Sequence, residues 1–279
     1  MKTNGWIFFV MCMIGFIACD DEEDKVVPPE VVENAFQTQF PTATSVKWER
    51  AGVFRKVDFK VDSKEYEAWY NAAGVWLQTE TTENYANIPV AIKTFLATNG
   101  EYPLASWTPQ NEVEVLSRLL YSDYYGVELE QGEQEVTIWA DDEAFYHITV
   151  AEDFNREDTP KAIRTYILQK ELNSWITQTL KWVNGHYQVN VLSGSMVKQF
   201  YFDASLNWLY AEWPVESDQL PDVVKAVLQG PAYTDYAIKS VTFQERTSTA
   251  YYHIVLENTN SSEALTIHVN IDPEGNIIS

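Results

Sequence analysis

The chain has 279 residues, with 41 Asp and Glu against 19 Lys and Arg, for a formal net charge of −22. So acidic a protein repels nucleic-acid phosphates, which argues against DNA or RNA as a partner. Aromatic side chains make up 14% of the residues, far more than a disordered chain carries, so a packed fold is expected.

The N-terminus reads as an export and anchoring segment. Lys2 supplies a positive start, and Trp6 to Ala18 then run without a charge, well short of the ~20 residues a membrane-crossing helix needs. Such a run is expected to be a signal segment over residues 1–18. Phe16-Ile17-Ala18-Cys19 resembles a bacterial lipobox, with Phe16 bulkier than the usual Leu. The resemblance implies that Cys19 is acylated and becomes the first mature residue. Of the two Cys, Cys12 would leave with the signal, so no internal disulfide can form. Acyl chains add ~0.8 kcal/mol of membrane affinity per buried methylene, so several together hold the protein stably. Residues 19–29 form a tether whose block Asp20-Asp21-Glu22-Glu23-Asp24 stays solvated. Acidic residues just after a lipidated Cys resemble the surface-export signal of Bacteroidetes lipoproteins. The expected location is the outer membrane, facing the periplasm or the outside, with contact to lipid through the anchor alone.

The mature chain carries a duplication. Lys47-Trp48 matches Lys181-Trp182, Trp76-Leu77 matches Trp208-Leu209, and Pro89 and Lys93 match Pro221 and Lys225. Further on, residues 123–130 match 250–257 and residues 136–138 match 265–267. The five matches keep their order, with offsets between 127 and 134, as small loop insertions produce. Two domains are expected, residues 30–153 and 157–279, joined by the acidic stretch 151–160 that ends in Pro160.

Helical periodicity appears at 28–40, 88–98, 159–172 and 220–229, each time opening at or near a proline. Val31, Ala35 and Phe36 are the expected stripe of the first helix, and Val223, Val224, Val227 and Leu228 that of the last. Runs alternating with period two follow, such as Val57, Phe59 and Val61 against Lys56, Asp58 and Lys60. The expected fold class is α+β, with one helix and a three- to four-stranded antiparallel sheet repeated in tandem and the helices on one face.

The chain resembles the PepSY-like, beta-lactamase-inhibitor-like lipoproteins of Bacteroidetes. The resemblance rests on Phe40-Pro41-Thr42-Ala43, Val46-Lys47-Trp48, Gly52, Tyr66 to Tyr70, Gly74, Trp76-Leu77 and Pro89 to Ile92. The second half matches from Trp182 to Leu228, lacks the Phe-Pro-x-Ala step and has Leu206 in place of Gly74. These motifs are structural, so they imply fold more directly than function. They imply a sheet whose helix-free face is open, the face the related inhibitor uses to grip a protein.

No catalytic constellation stands out. Ser193-Gly194-Ser195 reads as a hairpin turn rather than a nucleophile elbow, and no glycine-rich phosphate loop is present. Nothing singles out a catalytic pair among 41 carboxylates. His147, His186, His253 and His268 lie in strand-like segments without metal-ligand spacing. His253 and His268 could meet across a hairpin, yet without a nearby carboxylate pattern they promise a poor site. No metal or other cofactor is expected.

The aromatic residues are the suggestive feature. If Ala68, Tyr70, Phe200 and Phe202 face the helices, alternation turns Trp69 and Tyr201 away. With Leu77 and Leu209 facing the helices on the next strand, Trp76, Trp208 and Tyr210 also turn away. The expected ligand site is therefore Trp69, Trp76, Tyr201, Trp208 and Tyr210. The leading expectation is a non-catalytic module gripping a protein or peptide, inhibition being one form of that grip. The alternative is a glycan-binding accessory protein with these rings as platforms. The competing structural reading is that the rings lock the two halves together, because large aromatics are usually buried.

Overall fold

The computed structural model describes residues 26–144, 146–260 and 265–278. The signal segment, Cys19 and the acidic block lie outside them.

Four helices each begin directly after a proline: α1 (Glu30–Gln39) after Pro29, α2 (Val90–Thr98) after Pro89, α3 (Lys161–Lys170) after Pro160 and α4 (Asp222–Leu228) after Pro221. Proline has a fixed φ and no N–H, so it leads a chain into a helix without losing a hydrogen bond. Each helix is short and buries a single row of side chains. In α1 the row through Phe36 includes Val32, one turn earlier; Val31, expected in the stripe, is exposed. In α4 Val224 is buried and Val223 exposed.

Strands β1 (Thr44–Ala51), β2 (Phe54–Val61), β3 (Lys64–Tyr70) and β4 (Trp76–Asn84) follow α1. Strands β5 (Thr108–Pro109), β6 (Glu112–Arg118), β7 (Tyr124–Gln131), β8 (Gln134–Asp141) and β9 (His147–Phe154) follow α2. Strands β10 (Trp175–Trp182), β11 (Tyr187–Ser193), β12 (Met196–Phe202) and β13 (Trp208–Pro214) follow α3. Strands β14 (Tyr236–Arg246), β15 (Ala250–Asn258), β16 (Thr266–Ile271) and β17 (Ile277–Ile278) follow α4.

These strands do not divide into four small sheets as expected. They form one 17-stranded antiparallel sheet in chain order, with the short β5 set beside β7. The reason is visible at each helix. β4 pairs with β6 across α2, β9 with β10 across α3, and β13 with β14 across α4. Each crossover lays the next strand along the free edge of the last, which hides an edge that would otherwise invite foreign pairing. The stretch expected as a linker is drawn into this: Asp153 and Phe154 end β9 and pair with Leu180 and Thr179.

All four helices lie on one face of the sheet, each over its own apolar cluster. Val32 and Phe36 sit on Val57, Phe59, Ala68 and Tyr70, and Ile92 and Leu96 on Val113, Val127, Leu129 and Ile138. Ile163 and Ile167 sit on Val189, Val191, Phe200 and Phe202, and Val224 on Val241, Ile254 and Ile271. The element order repeats in two halves, α1–β9 and α3–β17.

The helix-free face does not stay open along its whole length. The first half turns onto the second, and Ala51, Phe54, Trp69 and Leu77 pack against Leu192 and Val197. A further cluster of Leu116, Trp139, Val150 and Leu180 bridges β6, β8, β9 and β10. Two glycines make room for indoles. Gly52, at φ 64°, lies where a Cβ would come 3.3 Å from the Trp175 ring. Gly126 lies under Trp139, which a Cβ would reach at 2.8 Å.

Candidate binding face

The helix-free face has a sealed stretch and a carboxylate-lined stretch. In the sealed stretch, Arg118 of β6 is only 2% exposed. Its Nη1 donates to Asn190 Oδ1 of β11 at 3.2 Å, and its guanidinium lies over the rings of Tyr121 and Tyr124 at 4.2 and 5.1 Å. A desolvated cation over two rings recovers part of what it loses in leaving water. Asn190 Oδ1 also accepts from Gln199 Nε2, and its Nδ2 donates to Gln178. Tyr201 donates to Glu212 Oε1 at 2.8 Å. Burial, and then Glu212, push the Tyr201 phenol well above its ordinary range, so it stays protonated as the donor. Burial pushes Tyr124 up to about 12. Further bonds join the halves, among them Asn71 Nδ2 to Ser195 Oγ at 2.9 Å, Thr177 Oγ1 to Gln78 Oε1 at 3.4 Å and the Tyr121 hydroxyl to Val197 O at 3.1 Å.

The seam corrects the geometry expected of the aromatic residues. Trp69 and Tyr201 do face away from the helices, but they are 4% and 8% exposed and lie inside the seam. Trp76 and Trp208 face the other way, toward α1 and α3. A β-bulge in each half is the cause. Trp69 pairs with Gln78 and Tyr70 with Trp76, leaving Leu77 as the extra residue. Tyr201 pairs with Tyr210 and Phe202 with Trp208, leaving Leu209 extra. One inserted residue reverses alternation beyond it. Leu77 is buried in the seam instead of facing α1. Tyr210 keeps its expected side, half-buried, stacked on Tyr201 at 4.3 Å and under Arg246 at 5.2 Å. Trp208 lines an open cleft of about 520 Å³ with Tyr166, Lys170 and Arg246. Tyr166 stacks on its ring, and Lys170 Nζ lies over it at 4.5 Å.

Beyond the seam the same face becomes acidic. Alternation on β3, β4, β6 and β7 places Glu65, Glu67, Glu80, Glu112, Glu114, Glu128 and Glu130 on it, and β9 adds Asp153. The seam holds two of them in place. Gln78 Nε2 donates to Glu80 Oε1 at 2.6 Å, and Gln178 Nε2 to Asp153 Oδ2 at 2.7 Å. These groups reach solvent, yet protein crowds them on the inner side of the bend. Loss of hydration, reinforced by Glu67, Glu114 and Asp153, pushes Glu80 up to about 8. The same loss, with Glu114 beside it, pushes Asp153 to about 8, and Glu128 and Glu112 assist in pushing Glu114 to about 7. Glu128 is raised for the same first reason. Near the β2 edge Lys56 binds Glu67 at 2.9 Å and Asp58 at 3.2 Å. From β4 to β9, among the described residues, the only Lys or Arg on this face is the sealed Arg118.

Sequence reading did not single out these carboxylates. A signal was present: Glu65-x-Glu67, Glu112-x-Glu114 and Glu128-x-Glu130 repeat one spacing on three strands, and residues two apart share a strand face.

The beta-lactamase-inhibitor-like, PepSY-like family model matches residues 53–144 and 185–279, once in each half, and the chain belongs to that family. Among solved structures, a BLIP-like protein from Bacteroides fragilis is 27% identical, with a TM-score of 0.41; the match covers 51% of this chain and 99% of that one. A DUF2874 family protein from Bacteroides uniformis is 20% identical, with a TM-score of 0.38, over 44% of this chain and 90% of that one. A protein from Bacteroides eggerthii described as periplasmic is 15% identical, with a TM-score of 0.38, over 45% of this chain and 91% of that one. No curated protein matches the chain. Among the described residues, no helix is long and apolar enough to cross a membrane.

Proposed function

We propose that this protein is a non-catalytic binding module of the bacterial cell envelope, tethered through Cys19, whose acid-lined sheet face grips a basic polypeptide segment. The observation that carries the reading is the run of carboxylates across β3, β4, β6, β7 and β9 on a face that no helix covers. Family membership supports binding rather than catalysis, and the B. fragilis relative is named for its likeness to an inhibitor. Strands present side chains at fixed spacing, so a lysine- or arginine-rich loop could meet several carboxylates at once without their having to reorganise. Crowding holds Glu80 and Asp153 largely protonated near neutral pH, and an approaching cation favours their charged forms, which favours a cationic partner over a neutral one. The glycan reading keeps Tyr210 and the Trp208 cleft as its support, but Trp69 is enclosed and Tyr166 stacks on Trp208.

The test is fluorescence anisotropy with a labelled lysine-rich peptide and its glutamate counterpart. The parent protein should bind only the basic peptide, with affinity falling as salt rises. The variant Glu80→Gln/Glu114→Gln/Asp153→Asn should bind at least tenfold more weakly. Equal binding by parent and variant would overturn the assignment. For the tether, Cys19→Ser should release the protein from the membrane fraction.

A further inference from the structure

His253 on β15 and His268 on β16 lie on the helix-free face of the second half, in strands joined by a continuous antiparallel register. His253 pairs with Asn270, and Val255 with His268, so the two imidazoles are diagonal neighbours on one surface. His253 Nε2 stands 3.1 Å from His268 Nδ1, and His253 Nδ1 stands 2.8 Å from Asn270 Oδ1. The rings are tilted by 35° with centroids 5.2 Å apart. His253 is half-buried and His268 exposed.

The Asn270 contact decides the chemistry. An amide oxygen only accepts, so His253 Nδ1 must carry the proton. In the neutral ring Nε2 is then a bare lone pair, and it points at the other imidazole. This is the arrangement of a ligating histidine, whose second nitrogen donates to a carbonyl that fixes tautomer and ring orientation. His268 can turn its own lone pair to the same point by placing its proton on Nε2. Two ring nitrogens bound tetrahedrally to one metal at 2.0–2.1 Å lie about 3.3 Å apart. The observed 3.1 Å thus needs an adjustment of only a few tenths of an ångström.

We propose that His253 Nε2 and His268 Nδ1 form a two-imidazole site for a late first-row divalent cation, with Asn270 as the residue that positions His253. Imidazole suits Cu²⁺, Ni²⁺ and Zn²⁺ rather than Ca²⁺ or Mg²⁺, and the Irving–Williams order puts Cu²⁺ first. Water fills the remaining coordination positions, because His268 faces solvent. The protein's net charge of −22 raises the local concentration of any cation. Absent metal-ligand spacing argued against a metal here; strand pairing supplies the proximity that spacing in the chain lacks.

The test is calorimetric titration of Cu²⁺ into the full chain, with Cys12 and Cys19 alkylated so that thiols do not compete. One equivalent should bind, and copper resonance spectra should show two coordinated nitrogens. His253→Ala and His268→Ala should each weaken binding more than tenfold, and Asn270→Leu by about tenfold. Circular dichroism verifies that each variant folds. Histidine resonances of the unmutated protein give an independent reading: trace Cu²⁺ should broaden His253 and His268 before His147 and His186. The proposal is overturned if His147 or His186 broadens first. It is also overturned if binding is unchanged in the His variants, which would place the ion elsewhere, as on the close carboxylates of Glu128, Glu130 and Glu135.

Discussion

The stretch of sheet around Trp69, Arg118 and Tyr201 and the stretch around Glu80, Glu114 and Asp153 lie on the same face of one sheet. In the first, polar side chains meet across the bend: Arg118 meets Asn190, Gln78 meets Thr177 and Asn71 meets Ser195. In the second, carboxylates neighbour carboxylates. Sealing a face requires that buried polar atoms be matched, since an unmatched one costs about 1–3 kcal/mol. Like charges cannot match one another, so the acidic stretch stays wet. What separates a structural face from a recognition face here is pairing across the bend, not hydrophobicity, because the sealed part is itself rich in Gln, Asn and Tyr.

The comparison breaks most sharply at Trp69. As a seam residue it should cost ~3–5 kcal/mol of stability when changed to Ala, like other fully buried rings. Urea unfolding measures this, and a loss well below 1 kcal/mol would mean that the halves do not close as described. Asn190 is the next largest. It accepts from Arg118 and Gln199 and donates to Gln178, so Asn190→Ala should cost ~1–3 kcal/mol by leaving a buried guanidinium underpaired.

The acidic stretch should show the smaller effect, through pH. Glu80, Asp153 and Glu114 have folded-state values near 8, 8 and 7, raised above those of an unfolded chain. Between pH 5 and 8 the folded state therefore holds more protons than the unfolded state. Stability should fall as pH rises through that window, since its slope follows the protons bound by the unfolded state minus those bound by the folded one. Solvent screens these groups, so Glu80→Gln should recover only ~0.5–1 kcal/mol at pH 8 and little at pH 5. Thermal melts across the window decide it; stability that rose toward pH 8 would show that these carboxylates are not crowded as described.

Much of the helical layer was legible in the chain. Pro29, Pro89, Pro160 and Pro221 each precede a helix, and Ala68, Tyr70, Phe200 and Phe202 face the helices as alternation requires. Reading failed where a single residue or a distant one decides. Leu77 and Leu209 are inserted at bulges, and pattern alone does not reveal an inserted residue, so simple alternation puts Trp76 and Trp208 on the side opposite to the one they occupy. The seam joins residues far apart in the chain, Asn71 and Ser195 being 124 positions apart, and no local period encodes such a meeting. The carboxylates were individually invisible among 41, and their E-x-E spacing gains meaning only when strand pairing aligns it across neighbouring strands.

Carboxyl footprinting tests the central claim most directly. The protein is labelled with carbodiimide and an amine, with and without a saturating lysine-rich polypeptide, and each modified residue is located by mass spectrometry. The account predicts protection concentrated at Glu67, Glu80, Glu114, Glu128 and Asp153, with Glu157 and Glu216 on the helix-bearing connections unchanged. Protection spread evenly over the acidic surface, or confined to residues outside the helix-free face, would contradict it.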